Sequence, residues 1–285
     1  MSKICTFLVC CFFVFSASAS ASASDSINVG TSYSLNSKVL NEARSYLVYL
    51  PPSYNEGNRH YPVLYVLDGD IHRFKGIVGV VEALSTETLS NQITEVIVVA
   101  IPNTVRSKDL TPSILPEWKF NGVVLERFEE TGQAKKFLSF LEKELIPTIK
   151  KSFRVSEKKI LVGESFGGLF SAFVLIHSQS SFSDYLIVDP TALWDNDYLN
   201  KEYSVIKNTQ TVKANVYFAF ANNSNIGEIG ITNYQWGSKF ASNISENTND
   251  EIKFLKQYFE NENHGTVALM AWYNGLRFLL SNPDK

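Results

Sequence analysis

Ser165 sits in the stretch Lys159-Ile160-Leu161-Val162-Gly163-Glu164-Ser165-Phe166-Gly167-Gly168-Leu169-Phe170. A short apolar run, Ile160 to Val162, meets Gly-Glu-Ser-Phe-Gly. Beyond it Leu169, Phe170, Phe173, Val174 and Ile176 recur at helical spacing. Strand, tight turn and helix with a serine at the apex form the pattern of a nucleophile elbow. The chemistry implied is attack by a hydroxyl on an acyl carbon. Such a serine must hold a backbone conformation that projects its hydroxyl above the sheet edge, and its neighbours two before and two after must be small. Gly163 and Gly167 meet that need, and Gly168 lets the new helix pack closely.

A serine hydroxyl needs a base to take its proton. Of the four histidines, His264 lies in Glu262-Asn263-His264-Gly265, after the last expected strand and before the final helix. That is where the chain order serine, acid, histidine of an α/β-hydrolase puts the base. His177 falls on the helix behind the serine, His60 in a charged turn, and His72 just past a strand end, so none of these is the better choice. A third residue must orient the imidazole and stabilise its cation. Glu228, after the expected strand Asn215 to Phe220, is the first choice, ahead of Asp189 and then Asp195; a serine–histidine pair without a strong acid stays open. The oxyanion formed in attack needs two backbone N–H donors. One is Phe166, the residue after the serine, and the other comes from the turn Gly69–Asp70, with Asp70 favoured. Trp194 and the segment Trp118 to Gly132 are candidate walls of the substrate pocket.

These residues require a particular frame. Arg44 to Leu50, Pro62 to Leu67, Glu95 to Ile101, Tyr185 to Val188, Asn215 to Phe220 and Ile252 to Phe259 read as strands, the second as one buried on both faces. Helical spacing covers Ile71 to Leu89, Gln133 to Lys151, a stretch near Tyr198 to Lys207, Asn233 to Ser242 and Thr266 to Leu280. Pro102 to about Thr131 reads as one long polar loop, of the kind that forms lids or binding loops. Strands alternating with helices predict a mostly parallel central sheet with helices on both faces, and a ligand site beyond the carboxyl ends of the strands.

The chain has 285 residues, 45% of them hydrophobic and 19% charged, with a formal net charge of −3. That composition gives one sizeable core, and without a basic block nucleic acid is not an expected partner. Lys3, the apolar run Ile4 to Phe15 and the Ala-Ser repeat to Ser24 read as a secretory signal peptide, residues 1–23, too short in its apolar part for a stable membrane anchor. One domain, 24–285, is expected to follow, exported to a periplasm or secreted. All three cysteines lie in the leader, so the mature chain has no thiolate nucleophile or cysteine-ligated metal. No metal or organic cofactor is implied, and the expected partner is a small-molecule ester.

The chain resembles the putative esterase family of α/β-hydrolases, and within it the branch of siderophore (enterobactin-type) esterases. The likeness covers nearly all of the mature chain. It is carried by Tyr49-Leu50-Pro51-Pro52-Ser53-Tyr54, the run Tyr61 to Asp70, Asp109-Leu110-Thr111-Pro112, Gly163 to Gly168, Asp189 to Asp195, and Glu262 to Val267. The resemblance implies Ser165 as nucleophile and His264 as base. Relatives tend to carry two arginines before Asp-Leu-Thr-Pro; here the positions hold Arg106, the expected substrate-binding residue, and Lys108, which lacks the planar fork of arginine. The function so implied is hydrolysis of a carboxylic ester through an acyl-enzyme, on a siderophore lactone or a smaller ester. The alternatives are an acyltransferase that passes the acyl group to a sugar or lipid alcohol, and a non-catalytic binding protein on the same scaffold.

Overall fold

The run Tyr61–Leu67 is apolar without a break because both of its faces are covered. Val63, Tyr65 and Leu67 enter one hydrophobic cluster, while Leu64 and Val66 enter another on the opposite side. The computed structural model describes residues 28–86, 91–178, 181–207, 212–248 and 251–281. The expected signal peptide and the end of the first expected helix lie outside the described residues. Strands β1 (Thr31–Ser37), β2 (Glu42–Tyr49), β3 (Tyr61–Leu67) and β4 (Ile97–Ile101) precede a hairpin, β5 (Glu117–Phe120) with β6 (Val123–Arg127). Then come β7 (Val155–Glu164), β8 (Asp184–Val188), β9 (Asn215–Ala221) and β10 (Phe254–Phe259).

The main sheet runs in the order β1-β2-β4-β3-β7-β8-β9-β10. β2 is antiparallel to both of its neighbours, and the pairings from β4 through to β10 are parallel. Helices α1 (Ile71–Ser85) and α8 (Val267–Leu280) cover one face, with Phe74, Ile77, Val81, Trp272 and Leu276 in its cluster. On the other face lie α3 (Ala134–Phe140), α5 (Phe166–His177), α6 (Tyr198–Ile206) and α7 (Glu228–Ser245). The architecture is the α/β-hydrolase fold expected from the alternation of strands and helices.

One expectation is refined and another changes. The single helix over 133–151 runs without a gap as α3, a π-helical turn at Leu141–Leu145 and α4 (Ile146–Ser152). The widened turn falls just before Pro147, which lacks the N–H that a regular α-helix would use there. The long loop over 102–131 is not a plain loop: it holds α2 (Arg106–Leu110) and the β5–β6 hairpin. The hairpin turns at Asn121 (φ 48) and Gly122 (φ 81), an Asn-Gly pair that tolerates two left-handed residues in succession.

Helix α2 is tied to the sheet from beneath. Arg44 of β2 pairs with Asp109 of α2, both side chains being 1% exposed, and its guanidinium lies 5.1 Å from the centre of the Phe137 ring. Burial pushes the Asp109 carboxyl up, against the pull of Arg44. Removing the arginine leaves a desolvated carboxylate without its counter-charge. Arg44→Met is therefore expected to lower unfolding free energy by about 3–5 kcal/mol, read from the urea midpoint at constant m-value.

Candidate active site

The turn between β7 and α5 is shaped by contacts that leave little freedom. A Cβ on Gly163 would lie 2.1 Å from the Gly167 carbonyl oxygen, so only glycine lets strand and helix meet there. Ser165 has φ 59 and ψ −119, a region costly for a residue with a side chain. It is held there from three sides: its N–H donates to the Val188 carbonyl (3.1 Å), and its own carbonyl accepts from Leu169 (2.8 Å) and Thr191 (3.1 Å). The Ser165 hydroxyl lies 3.3 Å from Thr191 Oγ1. Phe166 opens α5, so its N–H has no acceptor within the helix.

His264 comes from the loop between β10 and α8. Its Nδ1 lies 2.6 Å from Asp189 Oδ2. A carboxylate can only accept, so the neutral imidazole carries its proton on Nδ1 and leaves Nε2 as the basic nitrogen. Asp189 is fully buried, immediately after β8, with φ 38. Its Oδ1 accepts from the Ala221 N–H (3.2 Å), and its Oδ2 also accepts from Asn223 Nδ2 (2.7 Å). The same Asn223 side chain accepts the His264 backbone N–H at 2.8 Å. Asn223 thus clamps the acid and the histidine loop together, with its amide orientation fixed by a donor on one side and an acceptor on the other. It can sit so close because α7 passes with Gly230, where a Cβ would lie 2.0 Å from the Asn223 carbonyl oxygen.

Ser165, Phe166, Thr191, Asn223 and His264 line one pocket of about 240 Å³. Its apolar walls come from Trp118, Leu193, Ile226 and Ile229, with Arg106 and Glu126 also at its surface. The structure therefore brings Ser165 and His264 together, and the acid on the imidazole is Asp189 rather than Glu228. Glu228 is the exposed first residue of α7, where its side chain faces solvent, and the strand end after β9 offers an amide, Asn223, in place of a carboxylate. Asp195 lines a separate cleft with Trp118.

Two further expectations are corrected, and a third residue proves to be shared with another partner. The Asp70 N–H donates back to the Asp68 carbonyl (2.9 Å), while the Asp70 carboxylate caps α1 by accepting from the N–H groups of His72 (2.8 Å) and Arg73 (3.0 Å). It is a helix cap here, and its N–H is not presented to the pocket. Trp194 is fully buried, with its indole N–H donating to Ser113 Oγ (2.9 Å) and its ring edge-on to Phe166 at 5.3 Å. It supports Phe166 from behind and does not line the pocket; Trp118, from the segment expected to supply a wall, does. Arg106 does line the pocket, yet its guanidinium is already engaged. Nε and Nη2 lie 2.6 and 2.9 Å from the two Asp68 oxygens, and the group sits 5.0 Å from the centre of the Phe166 ring. Lys108 pairs with Glu42 and Glu130 at 3.7 and 3.8 Å and takes no part in the pocket.

Residues 37–268 match the protein family described as Putative esterase. The chain belongs to that family. A serine hydrolase from Shewanella oneidensis described as IroE-like is 31% identical, with a TM-score of 0.80 over 88% of this chain and 80% of its own. The ferri-bacillibactin esterase BesA of Bacillus subtilis is 27% identical over 57% of this chain, which spans 59% of that relative's length. The siderophore hydrolase EstA of Aspergillus nidulans shares the fold at a TM-score of 0.73, with 20% identity over 91% of this chain and 98% of its own. Among the described residues, no helix of the chain is long and apolar enough to cross a membrane.

The electrostatics of this site give a pH expectation. The Asp189 hydrogen bond holds the His264 pKa above its ordinary value, against desolvation and the Arg106 charge, which pull it down. The raised value makes the charged pair stabilising below about pH 6.5, the unfolded value, and that contribution is lost as pH rises through the folded pKa. Activity runs the other way, because a base must be neutral to accept a proton. The kcat/KM profile is expected to fall on its acid side with an apparent pKa above about 6.5, measured with a neutral ester across pH 5–9.

Proposed function

We propose that the esterase is an exported serine hydrolase that cleaves small carboxylic esters through an acyl-enzyme. The observation that carries this reading is the 2.6 Å contact between Asp189 and His264 Nδ1, in a pocket whose floor holds the positive-φ Ser165. Ser165 Oγ attacks the ester carbonyl as His264 Nε2 takes its proton, and Asp189 stabilises the imidazolium. The Phe166 N–H faces the developing oxyanion at the head of α5. The imidazolium then protonates the departing alcohol. Water, deprotonated by the same nitrogen, releases the acid and restores Ser165.

The small pocket with apolar walls favours a short acyl group. A catecholate siderophore lactone is the second reading, supported by the likeness to BesA, a ferri-bacillibactin esterase. A panel of p-nitrophenyl acyl esters together with such a lactone separates the two: turnover is expected to fall as the acyl chain lengthens, and faster lactone turnover would favour the second. Labelling by a fluorophosphonate, mapped to Ser165, tests the mechanism itself; a folded protein that takes no label overturns it. The leader residues support export, which N-terminal sequencing of the protein from a periplasmic or culture fraction tests.

A further inference from the structure

Trp118 is a wall of two cavities. One is the catalytic pocket. The other, of about 450 Å³, lies between the β5 edge of the hairpin and the turn after Trp194, and Asp195 and Asn196 line it. The ring of Trp118 is centred 6.0 Å from that of Phe166, the residue next to Ser165, so the two cavities share the indole and the second lies one side chain away from the pocket of the serine. We propose that this cleft binds a hydroxyl-rich portion of the ester, in its acyl or its alcohol half. The inference rests on the serine esterase reading and extends it to substrate class.

The turn that forms the far side of the cleft is built at a cost. Asp195, Asn196 and Asp197 are all left-handed, with φ of 47, 52 and 72, and no glycine relieves them. Asp and Asn are the side chains that tolerate this region best. The run is pinned at both ends. Before it, the Trp194 indole is fixed to Ser113 Oγ; after it, the Tyr198 N–H donates to the Trp194 carbonyl (3.0 Å) and Asn200 Nδ2 to Asp197 Oδ1 (2.7 Å). What the strained turn displays is the Asp195 carboxylate and the Asn196 amide, and among the described residues neither side chain has an ion pair or a side-chain hydrogen bond.

The chemistry of the lining narrows the ligand. An anion would meet the carboxylates of Asp195 and Glu117. A cation would find Glu117 already taken by Lys119 (2.6 Å) and Arg127 (3.0 Å), with the Lys119 ammonium itself on the cleft wall. What remains is an indole, one carboxylate that accepts, and one amide that both donates and accepts. A group with several neighbouring hydroxyls and an exposed carbon skeleton matches all three.

Three esters test this on the whole chain: ethyl butyrate, a butyryl monoester of glucose, and ethyl gluconate. They carry hydroxyls in neither half, the alcohol half and the acyl half. Wild type is expected to show a kcat/KM for one of the hydroxylated esters about tenfold above that for ethyl butyrate, the worth of two hydrogen bonds. Asp195→Gly/Asn196→Gly keeps the left-handed backbone and removes both side chains; it is expected to abolish the advantage while ethyl butyrate turnover is unchanged. Should the double variant lose ethyl butyrate turnover as well, Asn196→Gly alone, at an exposed position, supplies the comparison, with a partial loss of the advantage expected. Ethyl butyrate turnover without an advantage for either hydroxylated ester overturns the subsite and leaves the esterase reading intact, as does an advantage that survives removal of the side chains. No turnover of any ester and no fluorophosphonate label overturns the esterase reading and the subsite with it.

Discussion

Asp189→Asn is expected to reduce kcat/KM by about 10³–10⁴-fold, while Glu228→Gln leaves it within about twofold. The size of the first effect follows from hydrogen-bond polarity. Asp189 accepts from the Ala221 N–H, from Asn223 and from His264. An asparagine that keeps its oxygen toward Ala221 must turn an NH₂ group toward both Asn223 Nδ2 and His264 Nδ1. The first contact sets donor against donor. The second forces the neutral imidazole to accept at Nδ1 and so to carry its proton on Nε2, where it is useless as a base. The residual activity should also show its acid limb shifted to lower pH, because the partner that raises the His264 pKa is gone. Steady-state kinetics on p-nitrophenyl acetate across pH 5–9 check both points. A large loss in Glu228→Gln with little change in Asp189→Asn would return the role to the helix-head carboxylate.

Ser165→Ala is expected to lose at least about a thousandfold in kcat/KM and all fluorophosphonate labelling. Its thermal midpoint should stay close to wild type, because the bonds that hold the turn run through the backbone of residue 165 and survive the change. What activity remains would come from the Phe166 N–H and from binding alone, as when a nucleophile is removed from an intact site. Undiminished turnover in a folded variant would mean that the hydroxyl is not the nucleophile.

Most of the frame is written in local patterns. The continuous apolar run of β3, the glycines around Ser165 and the histidine between β10 and α8 each have a short-range physical cause, and each is legible in the sequence. The hairpin in the 102–131 segment was legible too, since Asn121-Gly122 is flanked by Trp118, Phe120, Val123 and Val124; reading the segment as polar overlooked that turn signal. The acid is a different matter. Asp189 and Glu228 both follow strands, and only the register of β8 against β7 and β9 shows that the first carboxylate lies beneath His264. The same holds for Asn223, whose role depends on partners 34 and 41 residues away. Trp194 and Asp70 show the reverse error: residue types suited to a pocket are used for support and for capping.

The strand end after β8 supplies the acid, and the one after β9 supplies the aliphatic rim. Past the clamp at Asn223, Ile226 and Ile229 face the pocket without contacting Asp189 or His264 through a hydrogen bond. The side chains at those two positions can change in size while the proton-handling trio stays in register, since none of its hydrogen bonds runs through them. Such a chain can change its diet without relearning its chemistry.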